Sequence, residues 1–166
     1  MPWWWDSLIR PNNLERFFQP LSRFARGIDR RLENYQLIET AVLREGGSEI
    51  AVRGLLSNHS CYLWLHRPAS EESQAQRALI PSGLELALSG MVGGTYIMSV
   101  MESSTGRSLR RSILSCHEGR LILPLPPSQD DVAVKVECRG SAQPRFYGSP
   151  ERMRLEERPG RPLPAE

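Results

Sequence analysis

The sequence has little of what would point directly to a chemistry. It contains three cysteines, Cys61, Cys116 and Cys138, and their spacing includes no CxxC pair and fits no zinc pattern. The odd count argues against a disulfide framework, although one disulfide between two of them stays open in an oxidising compartment. Since each lies in or beside an apolar run, the favoured interpretation is that they are small buried thiols.

Net charge and long apolar runs are also scarce. The 21 Lys and Arg residues against 19 Asp and Glu leave a formal charge of +2, and the arginines are scattered, so no nucleic-acid partner is predicted. No apolar run approaches the roughly 20 residues that a membrane span needs. The first residues lack the basic and apolar regions of a signal peptide. The cellular location is therefore left undetermined.

Few side chains suited to metal binding or nucleophilic catalysis are present. The three histidines, His59, His66 and His117, show no metal-ligand spacing, so neither a metal nor a cofactor is predicted. No serine lies in a nucleophile-elbow pattern. The acidic residues show no pairing that would indicate a cleft, and we interpret them as solvated surface charges. The sequence predicts no catalytic residue.

What the sequence does contain is a long region of apolar and polar alternation. About eight runs with period two lie between Tyr35 and Cys138, separated by turn residues at the spacing of an all-β sandwich. Val132, Val134 and Val136 form the last run. Since no helix-length segment separates the runs, we predict an antiparallel, Ig-like β-sandwich over 34–140.

The two ends of the chain follow other patterns. Apolar side chains recur every three or four positions from Leu14 to Ile28, which predicts one or two helices, the second beginning at Pro20. Before them, the run from Trp3 to Asp6 is predicted to be a short strand-like segment. Five prolines among Arg and Glu after position 140 predict a disordered tail over 141–166.

One run is specific enough to suggest a family. Residues 3–28, WWWDSLIRPNNLERFFQPLSRFARGI, resemble a late segment of bacterial cellulase-like glycoside hydrolases with a (β/α)₈ barrel. There, a tryptophan-rich eighth strand ends in an acidic residue, and a loop and the last barrel helix follow. Those enzymes continue into a C-terminal β-sandwich, and the hairpin at 94–107 and the strands at 121–135 are similar to theirs. The resemblance covers about residues 2–138.

The resemblance implies a protein without catalysis of its own. Residues 1–33 would be a remnant of the last βα unit, and 34–140 the accessory sandwich. The two catalytic glutamates of the family end the fourth and seventh barrel strands, which have no counterpart in this chain. The chain would then be a C-terminal fragment or accessory domain of a polysaccharide-degrading enzyme. Its partner would be polysaccharide or the missing barrel portion.

The resemblance also implies a set of sugar-binding residues. Trp5 and Asp6 would face the substrate at the end of the strand, with Trp3 and Trp4 beside them. The alternative is that these indoles simply pack on the helix or the sandwich. A lone barrel strand has no neighbours, so we expect it to be poorly paired or folded back against the helix.

Two further functions stay open. Tyr62, Trp64 and His66 share one face of a predicted strand, and Tyr62 and Trp64 would form the sugar platform of an independent carbohydrate-binding module. A core tryptophan is the more common arrangement in such folds. The other function is a protein-interaction sandwich that docks through its N-terminal helix, which would require an exposed apolar strip on that helix.

A related expectation concerns the helix itself. If the barrel is missing, the helix face that carries Phe17, Phe18 and Phe24 should be more exposed than an ordinary core face, apart from what the sandwich covers.

Overall fold

The chain folds mainly into β-strands. The computed structural model describes residues 4–28, 34–45, 48–68, 79–139 and 155–158. The strands are β1 (Gln36–Glu45), β2 (Ser48–Leu56), β3 (Ser60–His66), β4 (Glu85–Ser89), β5 (Gly94–Glu102), β6 (Ser108–Cys116), β7 (Arg120–Pro124), β8 (Val132–Cys138) and β9 (Leu155–Arg158).

These strands form two antiparallel sheets. The larger sheet has the order β1-β2-β3-β8-β5-β6 and the smaller one β7-β4-β9. The predicted antiparallel β-sandwich is confirmed. In β8 the alternation is visible residue by residue, because Val132, Val134 and Val136 are fully buried while Ala133 and Lys135 lie on the outer face.

The core consists of the inward side chains of both sheets. Leu63 and Leu65 of β3 face it from the larger sheet, and Leu86, Leu88 and Leu123 face it from the smaller sheet, each exposed by 1% or less. Each such side chain contributes about 1.5–3 kcal/mol by leaving water. The inward side chains therefore stabilise the packing of the two sheets against each other.

The N-terminal segment is helical where the structure describes it. A π-helix spans Trp5–Ile9, a 3-10 helix spans Leu14–Phe18, and an α-helix, α1, spans Gln19–Ala25. The predicted helix start at Pro20 is confirmed to within one residue, since Pro20 lies in the first turn of α1. Proline fits there because the first turn needs no donor from it.

The predicted strand-like segment at the N-terminus is wrong for residues 4–6. Trp5 and Asp6 lie in the π-helix, and Trp3 is outside the described residues. No described strand pairs with this segment, and its backbone forms hydrogen bonds within the segment instead, for example from the Arg10 N–H to the Trp5 carbonyl oxygen. No helix in the described part of the chain is long and apolar enough to cross a membrane.

The C-terminal tail contributes one strand to the smaller sheet. β9 pairs antiparallel with β4, with Leu155 opposite Leu88 and Arg158 opposite Glu85. The sequence predicted disorder over 141–166 and gave no signal for this pairing. Without β9, β4 would have an open edge of backbone donors and acceptors, which an added strand satisfies. The rest of the predicted tail lies outside the described residues.

Candidate functional site

Helix α1 lies on the outer face of the larger sheet and is fixed near both of its ends. Near its start, Pro20 is buried against Gly106, whose missing Cβ would come within 3.2 Å of the Pro20 Cα atom. Just after its end, the Lys135 ammonium donates a hydrogen bond of 2.7 Å to the carbonyl oxygen of Arg26. A cation is favourable there because the last carbonyls of a helix carry partial negative charge.

The turn that receives Pro20 is organised by a buried carboxylate. Glu102 accepts hydrogen bonds from the Thr105 hydroxyl and from the Arg107 guanidinium, the latter at 2.9 Å. These bonds hold the pKa of Glu102 below its ordinary value. Gly106 follows with φ of +72°, a conformation that a side chain would strain. Because Gly106 has no side chain, the backbone of the turn can pack closely against Pro20 of α1.

Helix α1 covers Tyr62 on the outer face of the larger sheet. Its ring lies 6.3 Å from Phe24 and 5.7 Å from Tyr35, centroid to centroid, and Lys135 lies 5.8 Å from its centroid. The hydroxyl donates to Glu137 at 3.3 Å. Burial raises the pKa of Tyr62 above its ordinary range. Tyr62 was predicted as half of a sugar platform, and the structure places it beneath the helix, with 7% of its surface exposed.

Trp64 is open to solvent. The residue is 41% exposed, so the expectation of a buried core tryptophan, the more common arrangement in such folds, is wrong here. The reason is strand parity: Leu63 and Leu65 point into the core, so Trp64 between them points outward. The sequence predicted the shared face of Tyr62, Trp64 and His66, but only the helix position decides which of them is covered.

His66 and Asp131 both contact the exposed Trp64 side chain. His66 stacks on Trp64 with ring centroids 4.3 Å apart and an angle of 27°. The His66 Nδ1 atom lies 2.8 Å from the carbonyl oxygen of Arg67, so this nitrogen carries the proton. Partial burial raises the pKa of Asp131, while the interaction with His66 and hydrogen bonds from the Arg67 backbone and the Trp64 side chain oppose the shift. Trp64 therefore has a restricted orientation.

A groove of about 460 Å³ runs between Trp64 and the helices. Its floor is one cross-strand row, in which Arg53 pairs with Trp64, Trp64 with Ala133, and Ala133 with Met101. Its wall is formed by α1 and the preceding 3-10 helix. The lining residues are Phe17, Pro20, Leu21, Phe24, Arg53, Gly54, Tyr62, Leu63, Trp64, Met101, Ser103 and Ala133.

Besides Tyr62, whose hydroxyl bonds to Glu137, the groove lining has two polar side chains, those of Arg53 and Ser103. Arg53 is the charged residue in the lining, and it makes no ion pair or hydrogen bond with any described side chain. The Ser103 hydroxyl oxygen is buried without a hydrogen-bond partner. Sequence reasoning missed both residues, because each becomes notable only through its position beside Trp64.

The N-terminal aromatic residues form a separate cluster. Trp5 packs on Phe18 with ring centroids 5.9 Å apart, and Trp4 meets Trp5 edge to face at 5.8 Å. The expectation that this segment folds back against the helix is confirmed for Trp5. Asp6 forms an exposed ion pair with Arg10 at 3.1 Å. These predicted substrate-binding residues are thus not brought to the groove.

Much of the N-terminal helical surface is apolar and exposed. We call Trp4, Leu8, Phe17, Phe18 and Leu21 the lead-in face; they are 45%, 53%, 62%, 42% and 63% exposed. The expected exposure of the helix is confirmed for Phe17 and Phe18. Phe24 is half-buried because the sheet covers it.

The cysteines are all free thiols in the structure, with Cys61 and Cys116 buried and Cys138 half-buried. Burial raises the pKa of Cys61 and of Cys116, which lowers the thiolate fraction and hence the reactivity. In the part of the chain that the structure describes, no group of three or more His, Cys, Asp or Glu side chains could hold a metal ion.

Comparison with known proteins gives a distant structural likeness. No protein-family model and no curated protein matches the chain. Among solved structures, a GH30 endoxylanase from Clostridium papyrosolvens C71 superimposes with a TM-score of 0.39 at 10% identity, over 71% of this chain and 26% of that enzyme. The chain therefore spans about a quarter of the enzyme's length.

Proposed function

We propose that this protein is the non-catalytic C-terminal part of a polysaccharide-degrading glycoside hydrolase: the last βα unit and the accessory β-sandwich. The resemblance of residues 3–28 to the end of a (β/α)₈ barrel motivates the proposal. The confirmed β-sandwich after them agrees with the order of parts in that family.

The lead-in face is the observation that carries the proposal. Five large apolar side chains that are each more than 40% exposed lie in one short helical segment. Single exposed apolar residues are ordinary, but a concentration of them marks a surface made to be covered. In an intact barrel, the last helix packs against its neighbours, and this face would be buried there.

The groove supports the absence of catalysis. Glycoside hydrolysis needs two carboxyl groups, about 5 Å apart in retaining enzymes and about 6.5–9.5 Å apart in inverting ones. The described lining of the groove contains no Asp or Glu. Asp6, the acidic residue that the resemblance assigns to substrate, forms an ion pair with Arg10 on an exposed helix surface. Neither place offers an acid and a nucleophile together.

Hydrolysis by the purified chain is the first test. We expect no release of reducing sugar from β-glucan or xylan above a buffer control. Measurable hydrolysis that survives further purification would refute the proposal. The second test is the genomic reading frame upstream of Met1, where the proposal expects in-frame sequence encoding a (β/α)₈ barrel.

The covered-face argument can be tested on the chain itself. We expect the isolated chain to self-associate through the lead-in face in sedimentation velocity, and Leu21→Ser to reduce that association, because Leu21 is 63% exposed on this face. Ile113→Ser is the matched control, since Ile113 is 65% exposed but lies on β6. Equal effects of the two variants would show that the lead-in face has no special role.

A further inference from the structure

We draw no further inference here: the strongest candidate, the groove of about 460 Å³ between Trp64 and the N-terminal helices, is walled by Phe17 and Leu21 of the lead-in face, which the proposed function already covers with the missing barrel, and nothing in the structure shows what else would fill it.

Discussion

The sandwich and the N-terminal helical segment are both rich in apolar residues, yet they use them differently. In β8, Val132, Val134 and Val136 have no exposed surface, whereas Phe17 and Leu21 are more than 60% exposed. The sandwich satisfies its apolar pattern within the chain, because two sheets face each other. One face of the helical segment packs on the sheet, whereas the face that carries Phe17 and Leu21 is exposed.

This contrast shows that apolar content does not by itself give stability. α1 is held by a few specific interactions, chiefly Pro20 against Gly106, Phe24 against Tyr62, and Lys135 with the carbonyl of Arg26. Segments with few buried contacts open locally at low free-energy cost. We therefore expect the helical segment to detach before the sandwich unfolds, and the following changes test that expectation.

The largest expected effect separates the core from the exposed helix. Leu65→Ala should lower the free energy of unfolding by about 2–5 kcal/mol, because it leaves a cavity in a fully buried site. Leu21→Ala removes the same atoms from a side chain that is 63% exposed and should change stability by about 0.5 kcal/mol or less. Urea denaturation measures both. Similar losses for the two would contradict the contrast.

The next effect concerns the contact at the start of α1. Gly106→Ala should lower the free energy of unfolding by about 2 kcal/mol, because a side chain there both strains a positive φ and contacts Pro20. Gly83→Ala is the control, because Gly83 has φ of +88° with no atom within 4 Å of an added Cβ. Its cost should be about 1 kcal/mol from backbone strain alone. If the two costs are equal in urea denaturation, the Pro20 contact does not stabilise the docked helix.

A smaller effect is expected at the other end of α1. Lys135→Met removes the hydrogen bond to the Arg26 carbonyl and should lower the docking free energy by about 1 kcal/mol. Hydrogen exchange should then become faster over Gln19–Ala25 while β5 keeps its protection. Arg111→Met, which removes the same charge from an exposed position on β6, should leave both rates unchanged. Faster exchange of β5 in Lys135→Met would show that the lysine supports the sheet instead.

The smallest effect is a pH dependence at the turn that receives α1. The pKa of Glu102 is lowered in the folded protein by Thr105 and Arg107. The unfolded chain therefore binds this proton more tightly, so the stabilisation is complete above the ordinary value of 4.5 and is lost as the pH falls through the folded pKa. Arg107 is 69% exposed, so solvent screens its share.

Thermal melting of the wild type and of Glu102→Gln measures this dependence. Between neutral pH and about pH 3, the melting temperature of the wild type should fall by more than that of the variant. A parallel decline of the two would assign the acid sensitivity to other carboxyl groups.

Sequence reasoning recovered the sandwich because a half-buried strand repeats with period two, and that repeat is local. It also placed the start of α1 near Pro20, since proline restricts where a helix can begin. It failed at residues 4–6, where tryptophan favours a strand but no described strand pairs with the segment, which is helical. It also missed the pairing of β9 with β4, because a free sheet edge leaves no mark in the sequence of its partner.

The candidate groove was only partly foreseeable. The alternation in β3 put Tyr62 and Trp64 on one face, and that grouping is confirmed by their outward positions. Which of the two is open depends on where α1 lies, and that is set by its contacts with Gly106, in the turn between β5 and β6, and with Lys135 on β8. Arg53 and Ser103 join the groove through the same tertiary arrangement.

By itself, the sequence determined the fold class, the positions of most strands and the helical character of residues 14–25. These follow from interactions between neighbours in the chain, namely side-chain periodicity, turn residues and the geometry of proline. Only the tertiary structure decided that Tyr62 is covered and Trp64 open, that the lead-in face is left exposed, and that β9 closes an edge. Each of these depends on surfaces far apart in the sequence, and a surface is covered only when the folded chain brings another one against it.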